Sequence, residues 1–357
     1  MRVESLPNAT LTDPAFMTYC AKSNSLAPRA ASDEACMPPA KSPRFLRSSV
    51  AYAILLAFAS IAPASAVWIG TNSQNQSVTV DLKTAGPTNF TVLATGGSNN
   101  ALSFGSGTFN GNVGDAHINP ALGGGTINGN VFLGNGIDSS NLIGQGTING
   151  TVFSNQDSFL SQPIADAAAA ASGALSLKAT KSLTAITDSW FGSNTTKTIT
   201  GVAGTNVIRL SSINLTQGQT LKLSAPAGGS FVLDVTGTFN LSNSSSIIVD
   251  TGSGLLPLDV LYALGSGTHL TVSGTASRAS IIDGIILASA GNISITYGQV
   301  NGEVIGACDL VFSQAVTSNG FSPIPEASAF LPMLGLFSFA AGGQMLMRRR
   351  TQAVAIA

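Results

Sequence analysis

Three segments of the chain repeat one another: Gly107-Thr-Phe-Asn-Gly-Asn-Val113, Gly125-Thr-Ile-Asn-Gly-Asn-Val131 and Gly146-Thr-Ile-Asn-Gly-Thr-Val152, at offsets of 18 and 21 residues. A weaker echo, Gln299-Val-Asn-Gly-Glu-Val304, keeps the apolar-Asn-Gly-x-Val core. Self-similarity at about 20 residues points to stacked coils, because one coil cannot bury its inward side chains and needs neighbours to complete a core. Asn-Gly is expected to supply the positive φ of a corner, with Phe109, Ile127 and Ile148 and then Val113, Val131 and Val152 turned inward. A row of type I′ hairpins in an antiparallel sandwich is the competing reading. Hairpins need not repeat their sequence at coil spacing, so the solenoid is preferred.

Composition narrows the function classes. Only 9% of the 357 residues are charged, against about 25% in ordinary soluble domains. With 39 Gly and 44% hydrophobic residues, neither a disordered polyelectrolyte nor a collagen-like chain fits. A net charge of −1 lacks the basic footprint of a nucleic-acid binder, so no nucleic-acid partner is expected.

Both ends read as addresses. Arg44 and Arg47 precede the apolar run 50–59, and Ala64-Ser-Ala66 then offers small residues to a signal peptidase. Residues 1–66 are therefore read as an N-terminal extension and secretory signal, cleaved after Ala66. A start at Met17 or Met37 would explain the polar residues ahead of it. At the other end Pro323-Ile-Pro325-Glu326-Ala-Ser328 leads into an uncharged stretch over 327–347, followed by Arg348, Arg349 and Arg350. About 20 helical residues cross a bilayer, and the arginines favour a cytoplasmic terminus. Trimming both ends leaves residues 67–325 acidic, with Cys308 as their one thiol.

Pro325-Glu326 ahead of a hydrophobic stretch and an arginine cluster resembles the PEP-CTERM sorting signal, also classed as an ice-binding-protein C-terminal domain, with Pro-Glu-Ala in place of the usual Pro-Glu-Pro. The resemblance implies export, temporary retention in the inner membrane through a terminal transmembrane helix, processing by an exosortase, and a final place at the cell surface or in the extracellular matrix. Signal peptidase and exosortase are then the partners during export.

Between the ends, residues 67–100 read as an N-terminal β segment and 101–157 as Gly/Asn-rich solenoid repeats. Residues 158–182 hold an Ala-rich helix, with Pro163 near its first turn and five Ala of high helix propensity. Short alternating strands punctuated by Gly, Ser and Asn fill 183–320, among them Phe231-Val-Leu-Asp-Val235, whose alternation puts Phe231, Leu233 and Val235 on one face and Asp234 on the other. Phe231-Val-Leu-Asp-Val-Thr-Gly237, Asp259-Val-Leu-Tyr-Ala-Leu-Gly265, Gly284-Ile-Ile-Leu-Ala-Ser289 and Gly298-Gln-Val-Asn-Gly-Glu-Val-Ile305 resemble the choice-of-anchor A surface domain and, more distantly, the ice-binding-like adhesion domain. This resemblance implies an all-β, right-handed β-solenoid with one flanking helix, used for attachment, with no catalytic residues to carry over.

The residues give chemistry little purchase. His117 and His269 are the two histidines, set among Gly, Asn and Thr without a nucleophile elbow, and read as turn residues. Two His and one body Cys cannot make a tetrahedral metal set. Asp115, Asp138, Asp157, Asp250 and Asp259 lie in carbonyl-rich turns that could suit calcium, but neither calcium-loop motif is present. Asp234, Asp250 and Asp283 could share a face as a polysaccharide-cleaving enzyme would need, with Arg209 and Arg278 as the only body arginines; a solvated Asp is the ordinary reading of each. Trp68, Trp190, Tyr262 and Tyr297 could stack on sugars or finish a core. Thr108, Thr126 and Thr147 repeat singly after Gly and read as turn residues, while Thr198-Ile-Thr200 and Ser294-Ile-Thr296 are isolated pairs. The reading is a non-enzymatic exported surface or matrix protein without cofactor or metal, whose Ser/Thr/Asn/Gly rows contact exopolysaccharide or neighbouring surface proteins weakly and many times over. A secreted glycan-acting enzyme and an ice-binding protein are the alternatives.

Overall fold

A computed structural model describes residues 66–96, 102–116, 121–134, 136, 146–192 and 195–320. The expected transmembrane stretch 327–347 lies outside them, and among the described residues no helix is long and apolar enough to cross a membrane. The body is mostly β, with parallel sheets and few helices. Each coil turns through three strands and so presents three faces. In the coil of residues 285–301 these are Ile285–Ala288, Ile293–Thr296 and Gly298–Asn301. Corresponding strands of successive coils pair in parallel, as Leu270–Ser273 does with Ile293–Thr296 and then Leu310–Ser313. The competing antiparallel sandwich is thereby excluded: the described antiparallel strand pair is a hairpin ahead of the coils, Val67–Thr71 with Ser77–Asp81.

The order of coils in space differs from their order along the chain. The last C-terminal strand, Val316–Asn319, pairs in register with Gly107–Asn110. Val304–Gly306 likewise pairs with Val92–Ala94, and Leu310–Ser313 with Leu102–Phe104. The N-terminal repeats therefore stack onto the end of the C-terminal coils, Thr126–Asn128 and then Thr147–Ile148 following as the outermost rungs of one face. The junction is filled by Phe104, Phe109 and Phe312, with ring centroids 4.2, 5.3 and 5.1 Å apart and each side chain buried.

A long helix, α1 (Asp157–Ser176), leaves the outermost repeat and runs beside the first face, after which Lys181–Thr187 pairs with Gly204–Leu215 near the far end of the stack. It spans 157–176 where 158–182 is expected, and Pro163 sits in its second turn rather than near the first, leaving the Phe159 carbonyl without its intrahelical donor. Ala167, Ala170, Ala171 and Ala174 form one cluster with the outward Val207, Val232, Leu261, Ile285 and Ile305 of the first face. Both sides of those strands are covered, which is why Val260–Leu264 is buried at every position rather than at alternate ones. The short helix α2 (Asp188–Phe191) brings Phe191 into the main core, and Lys197 Nζ lies 4.4 Å from the Trp190 ring centre.

Close stacking explains the repeated Asn-Gly better than backbone freedom does. Of the three repeat glycines after Asn, Gly111 alone has positive φ, at 133°. A Cβ on Gly129 would sit 2.1 Å from the Gly111 carbonyl oxygen, and one on Gly150 2.1 Å from that of Gly129. The corner needs glycine because each coil presses on the one before it.

Candidate functional site on the third face

The third face carries the sequence repeat. Thr108, Thr126 and Thr147 stand in strands, each paired with the next, rather than in turns as expected. Thr317 joins the same column, paired with Thr108. Phe109 and Ile127 between the outward positions are buried, so their rungs present Thr and Asn with an apolar anchor beneath, while the buried Ser318 takes that inward place in the Thr317 rung. Rungs lie about 4.8 Å apart.

The second column is a continuous hydrogen-bonded ladder. Asn149 Nδ2 donates to Asn128 Oδ1 at 2.8 Å, Asn128 Nδ2 to Asn110 Oδ1 at 2.8 Å, and Asn110 Nδ2 to Asn319 Oδ1 at 2.9 Å. Asn319 donates on to Asn301 Oδ1 at 3.1 Å, and Asn301 to Asp283 Oδ1 at 2.7 Å. All donors point the same way, and the series ends on a carboxylate, an acceptor suited to closing a polarised chain of amides. Asp283 Oδ2 also accepts from the Val249 amide at 2.9 Å. Sequence reading missed Thr317 and Asn319. Their signal was Thr317-Ser-Asn-Gly320, the repeat with Ser in place of the large inward residue.

The second face is also built from small polar groups. Asn214, Asn240, Thr271 and Ser294 stand in one column and Ser242, Ser273, Thr296 and Ser313 in another. Asn240 Nδ2 donates to Asn214 Oδ1 at 2.8 Å, and Thr296 Oγ1 and Ser313 Oγ are 2.8 Å apart. Thr198-Ile-Thr200 lies instead on the third face, in the outermost strand at the α2 end, paired with Thr220–Ser224.

The other candidates go to structural work. Asp234 is not solvated: it is 2% exposed under α1, and Arg209 Nε donates to its Oδ2 at 2.6 Å. Arg209 also reaches the Leu175 and Leu177 carbonyls, at 3.5 and 3.4 Å, so it ties the end of α1 to the first face. A cavity of about 380 Å³ beside it is lined by Asn72, Gln74, Leu177 and Lys178 and holds no acid–base pair. Asp234 and Asp283 stand in strands of different faces, and Asp250 pairs with Lys222 at 3.0 Å, so the three do not form one cluster. The Lys222 ammonium beside Asp250 holds its carboxyl below the usual range.

Asp259 caps the Leu256 amide, and burial raises its carboxyl. Asp115 is 1% exposed and Asp157 opens α1; Asp138 lies outside the described residues. Among the described residues no three His, Cys, Asp or Glu side chains gather around one point. His269 is exposed, its Nδ1 accepting from the Asn292 amide at 3.1 Å, and His117 is outside the described residues. Trp68 and Tyr262 are buried, the indole donating to the Asp259 carbonyl at 3.2 Å and the phenol to that of Asp283 at 3.0 Å. Neither is open to a sugar. Tyr297 is half-buried, and Trp190 lies under Lys197.

Of the expected address residues, Ala66 is buried just ahead of the first strand; Ala64, Pro323, Pro325, Glu326, Arg348, Arg349 and Arg350 lie outside the described residues. One residue figures in the sequence only as part of longer motifs, the weaker repeat echo among them. Glu303, at the corner after Asn301-Gly302, is fully buried and neither carboxyl oxygen has a hydrogen-bond partner among the described residues. Burial pushes its carboxyl well above the usual range.

The sequence model of the ice-binding-like adhesive domain family matches residues 64–308. Among solved structures, the chain is similar to an ice-binding protein from an Arctic yeast, at 16% identity over 69% of this chain and 96% of that one, with a TM-score of 0.47. An ice-binding protein from the Antarctic ascomycete Antarctomyces psychrotrophicus shows 23% identity over 67% and 98%, with a TM-score of 0.43. One from an Antarctic bacterium of the Flavobacteriaceae shows 16% identity over 65% and 45%, with a TM-score of 0.41. No curated protein matches the chain.

Proposed function

The chain belongs to the ice-binding-like adhesive domain family, and from that premise we propose that it is an exported cell-surface or extracellular-matrix adhesion protein whose third face holds polysaccharide. The carrying observation is the Thr-x-Asn array, four rungs in register from Thr317 to Asn149, with its amides fixed in a ladder. A glycan offers hydroxyls at a regular spacing and no charge. Fixed Thr hydroxyls and Asn amides meet such a ligand at little ordering cost, and weak contacts repeated along the rungs gain from multivalency. The coils wind right-handed, the sense that parallel crossovers take in nearly all proteins. No covalent chemistry on the glycan is part of this function. Export proceeds through the leader ending at Ala66, and retention and release through the tail from Pro323 to Arg350 and its transmembrane helix, by signal peptidase and then an exosortase.

Retention of the secreted protein on exopolysaccharide from its own cells tests the reading. Binding that disappears when Thr108 and Thr126 are replaced by Arg supports it; the release of shortened glycan instead would make the protein an enzyme. A second reading, ice binding, draws support from the in-register Thr column. It requires thermal hysteresis from the same face, and its absence in concentrated protein retires that reading.

A further inference from the structure

Each Asn of the ladder is followed by Gly: Asn110-Gly111, Asn128-Gly129, Asn149-Gly150, Asn301-Gly302 and Asn319-Gly320. Asn-Gly is the pair most prone to self-modification. The backbone nitrogen of the glycine attacks Asn Cγ, a C–N bond forms, and the side-chain amide leaves as ammonia with the proton that the backbone nitrogen gives up. Water then opens the resulting succinimide to aspartate or isoaspartate. Glycine allows this because it has no side chain to hinder closure and adopts the necessary backbone angles.

The ladder restrains the side-chain amide throughout its interior. Asn301, Asn319, Asn110 and Asn128 each donate to one neighbour and accept from the other, which fixes the side-chain amide. Three of the four attacking nitrogens there are also engaged: the amide of Gly302 donates to the Asn319 carbonyl at 3.0 Å, that of Gly320 to the Asn110 carbonyl at 3.1 Å, and that of Gly111 to the Asn128 carbonyl at 3.2 Å, whereas the Gly129 amide has no hydrogen-bond partner among the described residues and Asn128 is held by its side chain alone. Exposure does not separate the sites, since Asn110, Asn128 and Asn149 are all exposed.

Asn149 differs by position. Its rung is the outermost of the third face, and no strand of the described residues pairs beyond it. Its Nδ2 donates inward, while its Oδ1 and the Gly150 amide have no hydrogen-bond partner among the described residues. The geometry points to Asn149-Gly150 as a spontaneous deamidation site from which conversion runs inward along the ladder. Loss of Asn149 Nδ2 turns a donor that met Asn128 Oδ1 into an acceptor facing an acceptor. Asn128 then loses its outer restraint and becomes the next site. Each conversion sets a negative charge at the end of an array otherwise free of charge from Asn301 outward. This inference stands on the ladder alone and not on what the face binds.

The test is to age the secreted protein in mildly alkaline buffer and map aspartate and isoaspartate at the five pairs by peptide mass spectrometry, in native buffer and in denaturant. In denaturant all five should convert at similar rates. In the folded protein Asn149 should convert first, with Asn110, Asn301 and Asn319 slower by about tenfold or more because they require local opening. An Asn149→Asp variant should convert faster at Asn128 than the unaltered protein does. Equal conversion at interior and outermost pairs of the folded protein, an Asn149 that stays intact, or an Asn128 indifferent to the substitution would each overturn the proposal.

Discussion

Asn110 Nδ2 donates to Asn319 Oδ1 at 2.9 Å although 209 residues of chain separate them. That bond marks the seam where the N-terminal repeats join the C-terminal coils, and the aromatic cluster of Phe104, Phe109 and Phe312 lies at the same seam. The Thr-x-Asn array exists only because the seam is closed. Replacing Phe312 with Ala removes a buried ring that touches both of the others, and should cost about 3–5 kcal/mol in denaturant unfolding. Limited proteolysis should then release the N-terminal repeats first. A cost below about 1 kcal/mol would mean that the seam is held elsewhere.

Gly129→Ala should destabilise the fold even though Ala loses less backbone entropy than Gly on folding. Here the added Cβ would meet the Gly111 carbonyl oxygen at 2.1 Å, so the coils must move apart. The same change at Gly136, where nothing lies within 4 Å but φ is 76°, meets backbone strain without a clash. Melting temperatures of the two variants should therefore rank Gly129→Ala as the lower. The reverse order would point to backbone angle, not stacking, as what the repeat selects.

Much of this arrangement was legible because the repeat is nearly literal. The offsets of Thr108, Thr126 and Thr147 are the pairing registers themselves, and the inward and outward alternation of Phe231-Val-Leu-Asp-Val235 holds in the structure. Two things were hidden. Asp234 looked solvated because alternation describes one face, and nothing in its strand says that a helix covers the other. The seam was hidden because Thr317-Ser-Asn-Gly320 lacks the large inward residue, and because sequence order suggests coils laid down in order. The Thr column reads as turns in the sequence because each Thr follows Gly singly.

Arg209→Ala should leave the Asp234 carboxylate buried without its cation and release the end of α1. A cost of about 2–3 kcal/mol is expected, below the roughly 3–5 kcal/mol for breaking a fully buried pair, because the guanidinium is partly in solvent. Amide exchange over 170–177 should quicken in the variant. A change under about 0.5 kcal/mol would show that the pair is surface-like.

Glu303 gives stability a pH dependence of known sign. Its folded carboxyl titrates well above the unfolded one because burial disfavours the charge. Above about pH 4.3 the unfolded chain gives up this proton while the folded chain keeps it, so stability falls as pH rises, by about 1.4 kcal/mol per unit until the folded group titrates. Glu303→Gln removes that slope. Relative to the unaltered protein it should gain stability as pH rises above about 4.3, as read by denaturant midpoints. A difference that does not vary with pH would mean the carboxyl is paired in the folded state.

The most direct measurement of what the protein does is retention of the secreted protein on its own exopolysaccharide, with bulky charge placed on one face at a time. Thr108→Arg with Thr126→Arg should weaken retention by about a hundredfold, the scale on which repeated weak contacts are lost together. Ser242→Arg with Ser273→Arg, on the second face, should leave it within about twofold and the melting temperature unchanged. Equal loss from both pairs, or retention untouched by the first, would contradict the assignment of adhesion to the third face.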